Sequence, residues 1–183
     1  GKVYLVAAGK AAYRMAAAAA EMVPGLAEGV VITKYGHLGP PIGNLRMLEA
    51  GHPTPDENSF LAAEEALRLA GRAGEGDTVL FLLSGGGSAL FESPLIPGAE
   101  LQDITGQLLG CGADIVEINT IRKRLSAVKG GRFALRCAPA RVFSVVLSDI
   151  IGDPLDMIAS GPAVPDRSTS ADARRVAKKY HLR

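Results

Sequence analysis

Leu80-Phe-Leu-Leu-Ser84-Gly85-Gly86-Gly87-Ser88-Ala-Leu90 is the stretch on which the fold turns. Four apolar residues stop at a serine, three glycines and a second serine, and an apolar run then resumes. This is the pattern of a buried strand that ends in a bare-backbone bend. Consecutive residues without Cβ let the chain take positive φ and let a ligand approach the amides. A helix starting near Ser88 would point its free N–H groups and its dipole at that ligand, so the natural guest is an anion such as phosphate or carboxylate. The alternative is a tight glycine turn with no ligand.

Working outward, the same strand-then-turn arrangement recurs. Val3 to Ala7 is apolar without alternation, the mark of a strand buried on both faces. Ala8-Gly9-Lys10 follows, then an alanine-rich stretch from Ala11 to Met22 that reads as helix and stops at Pro24-Gly25. Positive charge is disfavoured at a helix N-terminus, so Lys10 is expected to serve an anion at the strand's C-terminal edge rather than merely to be solvated. Gly29 to Thr33 reads as a second strand and Arg46 to Glu49 as a short third, joined by an irregular loop in which His37 is a surface residue. Thr54 and Glu57 have capping-box spacing, with Pro55 at the first helical position, and predict a helix to about Leu69. His52, just before it, stays open between a structural role and lining a site. Thr78 to Leu83 is the fourth strand and Val142 to Leu147 the fifth.

Between these last two strands, helices are expected over Leu101–Leu109, Ile115–Leu125 and Phe133–Cys137. Five basic residues, Arg122, Lys123, Arg124, Lys129 and Arg132, crowd around Gly130-Gly131. A solvated helix face is the plain reading for Arg124 and Arg132, and an anion clamp the sharper one for Arg122, Lys123 and Lys129. Past the fifth strand come Asp149, Asp153 and Asp156. Carboxylates there can hold Mg²⁺, which takes one or two of them and completes its shell with water and phosphate; the alternative is an Asx-rich turn. Ser170 is expected to cap a last helix, 171–181.

Five apolar strands alternating with helices predict an α/β fold with a doubly wound, mostly parallel sheet and helices on both faces. Such sheets bind ligands beyond the C-terminal ends of their strands. Lys10, Ser84–Ser88 and Asp149–Asp153 all stand at such ends.

Composition narrows the partners. The 183 residues are 48% hydrophobic and 21% charged, an ordinary globular balance. A net charge of +1 gives no reason to expect nucleic acid or a membrane surface. Aromatic residues are 5% of the chain and Trp is absent, which argues against a base-stacking surface. Two cysteines, Cys111 and Cys137, make neither a disulfide framework nor a zinc site, so a reduced, cytoplasmic protein is expected. Both ends look cut, and the chain is expected to be a piece of a larger protein.

Neither familiar nucleotide motif is present. Gly9-Lys10 lacks the earlier Gly and the following Ser/Thr of a Walker A loop, and Gly85-x-Gly87 meets Leu90 where a dinucleotide fingerprint needs a third glycine. There is no G-x-S-x-G elbow either. What does occur, in order, is Ala8-Gly-Lys-Ala11, Glu49-Ala-Gly-His-Pro-Thr-Pro-Asp56, Ser84-Gly-Gly-Gly-Ser-Ala-Leu90, Asn119-Thr-Ile-Arg-Lys-Arg-Leu-Ser126, Lys129-Gly-Gly-Arg132 and Leu147-Ser-Asp-Ile-Ile-Gly-Asp153. Together these resemble the glycerate 2-kinase family that carries a C-terminal MOFRL domain, whose members have often been labelled hydroxypyruvate reductases.

The resemblance implies a Rossmann-like N-terminal domain over residues 1–183, without the family's lead-in helices and second domain. It implies ATP- and Mg²⁺-dependent phosphorylation of D-glycerate to 2-phosphoglycerate in a cleft between two domains, with the family's catalytic lysine falling on Lys10. Phosphoryl transfer is mostly positioning and charge neutralisation. Lys10 would stabilise the transferring phosphate, and Ser84, Gly85, Gly86, Gly87 and Ser88 would cradle phosphate or carboxylate. Asp149 and Asp153 would hold Mg²⁺, or one of them would take the hydroxyl proton. Arg122 and Lys129 would bind an anion. The expected partners are D-glycerate and a nucleotide, with a homodimer as candidate assembly. The rival readings are an NAD(P)H-dependent hydroxypyruvate reductase and a non-catalytic sugar-phosphate-binding domain.

Overall fold

The computed structural model describes all 183 residues. Its centre is a five-stranded sheet of β1 (Val3–Ala8), β2 (Leu26–Lys34), β3 (Leu45–Ala50), β4 (Thr78–Ser84) and β5 (Arg141–Leu147), in spatial order β3-β2-β1-β4-β5. Every pair is parallel. The chain leaves β1 toward β2 and β3, then returns to place β4 on the other flank of β1. The order therefore reverses between β1 and β4, the place where such sheets open a crevice. No helix is long and apolar enough to cross a membrane.

The unbroken apolar runs of β1 and β4 are explained by burial on both faces. Tyr4, Val6, Ala8, Val79, Phe81 and Leu83 enter one core, against α2 (Glu57–Ala70), α3 (Gly87–Leu90) and α6 (Arg132–Arg136). Leu5, Ala7, Leu80 and Leu82 enter the other, against α1 (Ala12–Met22). The first core is stitched by Phe81, Phe91 and Phe133, whose ring centroids lie 4.7–5.6 Å apart. That triad anchors the ends of α3 and α6 to β4. A third, smaller core joins α4 (Gly98–Gly110), α5 (Ile115–Arg124) and α7 (Ser170–Lys179) through Leu108, Ile118, Ile121, Ala173 and Val176.

Coverage of the two faces is unequal. On the α1 side the outer row of β5 is bare, with Phe143 64%, Val145 43% and Leu147 55% exposed. Boundaries also differ from the sequence reading in two instructive places. The cap of α2 is Asp56 with Ser59, not Thr54 with Glu57. Asp56 is already held by the Tyr35 hydroxyl and the Gly51 N–H, so the charged acceptor two residues later wins. Likewise Thr169 with Asp172, not Ser170, caps α7.

Candidate active site

Three chain segments meet where the sheet order reverses. β1 ends at Ala8, and Gly9 turns at φ 127 so that Lys10 can follow. No other residue fits, because a Cβ on Gly9 would lie 2.1 Å from Ser84 Oγ. The Lys10 N–H donates to Gly85 O at 2.9 Å, and the Ala11 N–H donates to Ser84 Oγ at 3.0 Å. The lysine turn and the triple-glycine bend are thus one hydrogen-bonded unit. Ser84 is buried and its oxygen engaged, so it braces the unit from below.

The bend itself carries free donors. The N–H groups of Gly85 and Gly86 have no acceptor in the protein, and Gly86 sits in the left-handed region at φ 85. Two adjacent unpaired amides in such a turn form a concavity suited to an anion. The expected helix after the glycines is a single turn, Gly87–Leu90, so individual amides rather than a long helix dipole supply the positive end. Gly87 is packed underneath, where a Cβ would meet Ala159 Cβ at 2.8 Å.

On either side stand charged groups of opposite sign. A Cβ on Gly85 would lie 2.1 Å from Asp149 Oδ2, so the carboxylate occupies the space that the missing side chain leaves. Asp149 and Asp153 are exposed, and neither carboxylate makes an ion pair or accepts a hydrogen bond. A Cβ on Gly86 would lie 3.0 Å from His52 Cδ2, 3.1 Å from His52 Nε2 and 3.2 Å from Lys10 Cγ. His52 therefore reaches from the end of β3 across to the β4 bend. Burial, and then the charges of Lys10 and Lys34, hold its imidazole pKa below the ordinary value.

The three carboxylates after β5 do not gather into one cage, and no group of three His, Cys, Asp or Glu side chains does so anywhere in the chain. Asp156 turns instead toward Lys123 Nζ, 3.9 Å away. A Mg²⁺ ion does not need such a cage, since one or two carboxylates with phosphate oxygens suffice. The unpaired Asp149 carboxylate beside the bare Gly85 backbone fits that requirement.

Arg122 and Lys129, expected as anion ligands, lie beneath the site rather than in it. Lys129 is 0% exposed, and its Nζ donates to Ser88 O at 2.9 Å and Phe91 O at 3.0 Å, with Glu92 Oε2 3.1 Å away. Two of its protons are spent on backbone carbonyls, and its charge faces Glu92. Burial pushes its pKa down to about 8, with Glu92 pulling the other way. Arg122 is also buried and donates to Ser88 O at 3.4 Å. Together they hold the carbonyl end of α3. Ser88, expected to cradle an anion, instead serves this scaffold through its backbone: its carbonyl is the acceptor that Lys129 and Arg122 share.

Lys123 is buried beside Asp166 at 3.6 Å, while Arg124 bonds Asp166 and Ser168. Arg132 caps the carbonyls of Lys123 and Ser126. The basic segment is neither a solvated face nor an open clamp. It is internal wiring for a loop-rich region whose carbonyls need donors. Sequence reasoning missed Lys34 altogether. Its signal was available, since Lys34 ends a strand that adjoins β1, as Lys10 stands just past the end of β1 itself.

A separate cleft of about 460 Å³ lies between α5 and α7, with Asn119, Lys123, Asp156 and Arg167 among its walls. It includes neither Lys10 nor the glycines. The strand-end residues Lys10, Asp149 and Asp153 are exposed, so this candidate site is an open shelf.

The whole chain, residues 1–183, matches the sequence model of a domain described as a domain of unknown function, DUF4147. It is 57% identical over 184 residues to the D-glycerate 2-kinase of Thermotoga maritima, covering 99% of this chain and 44% of that protein. It is 47% identical over 185 residues to the glycerate 2-kinase of Pyrococcus horikoshii, covering all of this chain and 41% of that one. A crystal structure of glycerate kinase from Thermotoga maritima superposes with a TM-score of 0.96 at 56% identity, over 100% of this chain and 45% of that chain. The chain thus spans less than half the length of the relatives it matches.

Proposed function

The chain belongs to the DUF4147 family, which it shares with glycerate 2-kinases, and from that premise we propose that it forms one wall of the active site of an ATP-dependent D-glycerate 2-kinase. The product of that reaction is 2-phosphoglycerate. The other wall comes from a second domain in proteins of the relatives' length. The observation that carries this reading is the junction of the Lys10 turn with the Gly85–Gly86 bend, through the Lys10 N–H to Gly85 O bond of 2.9 Å.

Each residue has a task that its surroundings permit. Lys10, exposed and without an ion-pair partner, meets the charge that develops on the transferring phosphoryl group. The free amides of Gly85 and Gly86 hold phosphate oxygens. Asp149, with Asp153 beyond it, would hold Mg²⁺, which when bound would neutralise charge on the nucleotide phosphates. Ser84, Arg122 and Lys129 keep the bend rigid, so the donors are in place before substrate arrives.

In the full-length protein, Lys10→Ala is expected to lower kcat by about 10³-fold while the fold survives, as loss of a transition-state cation does in phosphoryl transfer. Unchanged turnover in a folded variant would refute the assignment. Steady oxidation of NADH with hydroxypyruvate would establish the reductase instead, and absence of any turnover the binding domain. The 183-residue chain by itself is expected to form no 2-phosphoglycerate, and detectable product would refute the two-walled site.

A further inference from the structure

Three basic groups gather at the β1–β3 side of the shelf, and none of them is ion-paired. Lys10 ends the turn after β1, Lys34 is the last residue of β2, and His52 lies two residues past the end of β3. The two carboxylates close to them in sequence are engaged elsewhere. Glu49 accepts from the Gly36 N–H at 2.8 Å, and Asp56 accepts from the Tyr35 hydroxyl at 2.6 Å and the Gly51 N–H at 3.0 Å.

Register explains the gathering. Lys34 pairs with Ala50, two positions beyond the level at which Ala8 pairs with Ile32. Strand alternation puts Lys34 on the face of Val30 and Ile32, which is the face that Ala8, Ala50 and α3 also share. His52 then folds back over this edge to touch Gly86. That both lysines depress its pKa is a separate sign that the three are neighbours. Burial and the two lysines favour the neutral form of the imidazole, so the positive charge of Lys10 and Lys34 stands uncompensated on this edge until an anion joins it.

We propose that Lys34 and His52 form the subsite for the carboxylate of a small 2-hydroxy acid, on the opposite side of Lys10 from Asp149. This rests on the phosphoryl-transfer reading above and gives the shelf a direction. The acceptor lies toward β2 and β3, over Lys34 and His52, neither of which is ion-paired. The metal-bearing nucleotide phosphates lie toward β5, beside the unpaired carboxylates. The Gly85–Gly86 amides and Lys10 stand between the two. A free carboxylate on the acceptor is then a requirement of recognition, since a neutral analogue keeps at most one acceptor oxygen and brings no charge to meet the lysine.

The test uses the full-length protein with Lys34→Met, Lys34→Arg and His52→Gln. Losing one charge-assisted hydrogen bond is expected to raise KM for D-glycerate by about 10- to 100-fold in Lys34→Met. KM for ATP should stay within about 2-fold, a change that a lost contact elsewhere would not spare. The preference for D-glycerate over uncharged glyceramide should collapse in Lys34→Met and be partly restored in Lys34→Arg. A rise confined to KM for ATP, or an unchanged glycerate-to-glyceramide preference, overturns the proposal.

Calorimetric titration with 3-hydroxypropionate, which keeps the carboxylate but lacks the 2-hydroxyl, reads the subsite without turnover. Binding to the wild type that weakens in Lys34→Met and His52→Gln supports the proposal. Binding indifferent to both, or no binding to the wild type, overturns it. Carboxylate binding that depends on Lys34 in a protein with no kinase turnover would sink the kinase reading and leave the subsite standing. Robust turnover with binding indifferent to Lys34 would do the reverse.

Discussion

Gly85 is glycine because Asp149 stands where its side chain would be. A Cβ there would approach Oδ2 to 2.1 Å, far inside contact distance, so either the bend or the carboxylate must move. Gly85→Ala is therefore expected to displace Asp149 from the shelf while leaving the buried strand intact. A shift of about 1 Å in a positioned group costs on the order of 10²-fold in rate. We expect a loss of that size in kcat/KM and a higher Mg²⁺ concentration for half-maximal activity, with an unchanged circular dichroism spectrum. Equal Mg²⁺ dependence in variant and wild type would show that Asp149 holds no metal. At this scale the sequence spoke clearly about backbone and poorly about side chains. Three glycines after an apolar run announce a bend with bare amides. Nothing in the string says that Lys129 runs inward to Ser88 O and Phe91 O, or that His52 bends over Gly86, because both depend on which segments come to lie beside it.

Among elements, the pair α5 and α7 shows how a surface charge can set local stability. Glu117 in the first turn of α5 accepts from Lys179 Nζ and from the Tyr180 hydroxyl, each at 2.6 Å, and also caps its own helix. The bonds from Lys179 and then Tyr180 draw the Glu117 carboxyl down to about 2, from an ordinary 4.5. A carboxylate depressed by folding contributes stability above its unfolded pKa and loses it as pH falls toward the folded one. The contact between α5 and α7 is expected to loosen between pH 4.5 and 2, while the sheet persists. Tyr180 fluorescence, or amide exchange in α7, followed against pH would detect it. Glu117→Gln should flatten that pH dependence, and a variant that loosens like the wild type would assign the change to another group. Helix existence was legible here from apolar spacing and from the glycines that end α4. The pairing of α5 with α7 was not, since their partners are more than 60 residues apart in the chain.

For the whole molecule, the bare row of β5 is the dominant feature. Phe143, Val145 and Leu147 lie on the outer strand of the sheet, and Ile151 and Leu155 are exposed just beyond it. An edge strand with an apolar outward face favours association with other chains. The isolated 183-residue chain is therefore expected to self-associate, and Phe143→Thr with Val145→Thr to shift it toward monomer. Sedimentation velocity over a concentration series would check this. A wild-type monomer at every concentration would show that the patch is too small to act.

The string of residues alone determined that this chain builds a parallel sheet with glycine-rich turns at its strand ends. Unbroken apolar runs of strand length cannot be solvated on either face, and consecutive glycines cannot be part of a strand or a long helix. Only the three-dimensional fold decided which of the charged residues stand together at the strand ends. Parallel pairing brought Lys10, Lys34, His52 and Asp149 to one edge from distant points in the chain, and burial took Arg122 and Lys129 away from it. Charge sign is written in the sequence, but whether a charge faces water, a ligand or a backbone carbonyl is set by packing, where leaving a donor or acceptor unpaired is what costs most.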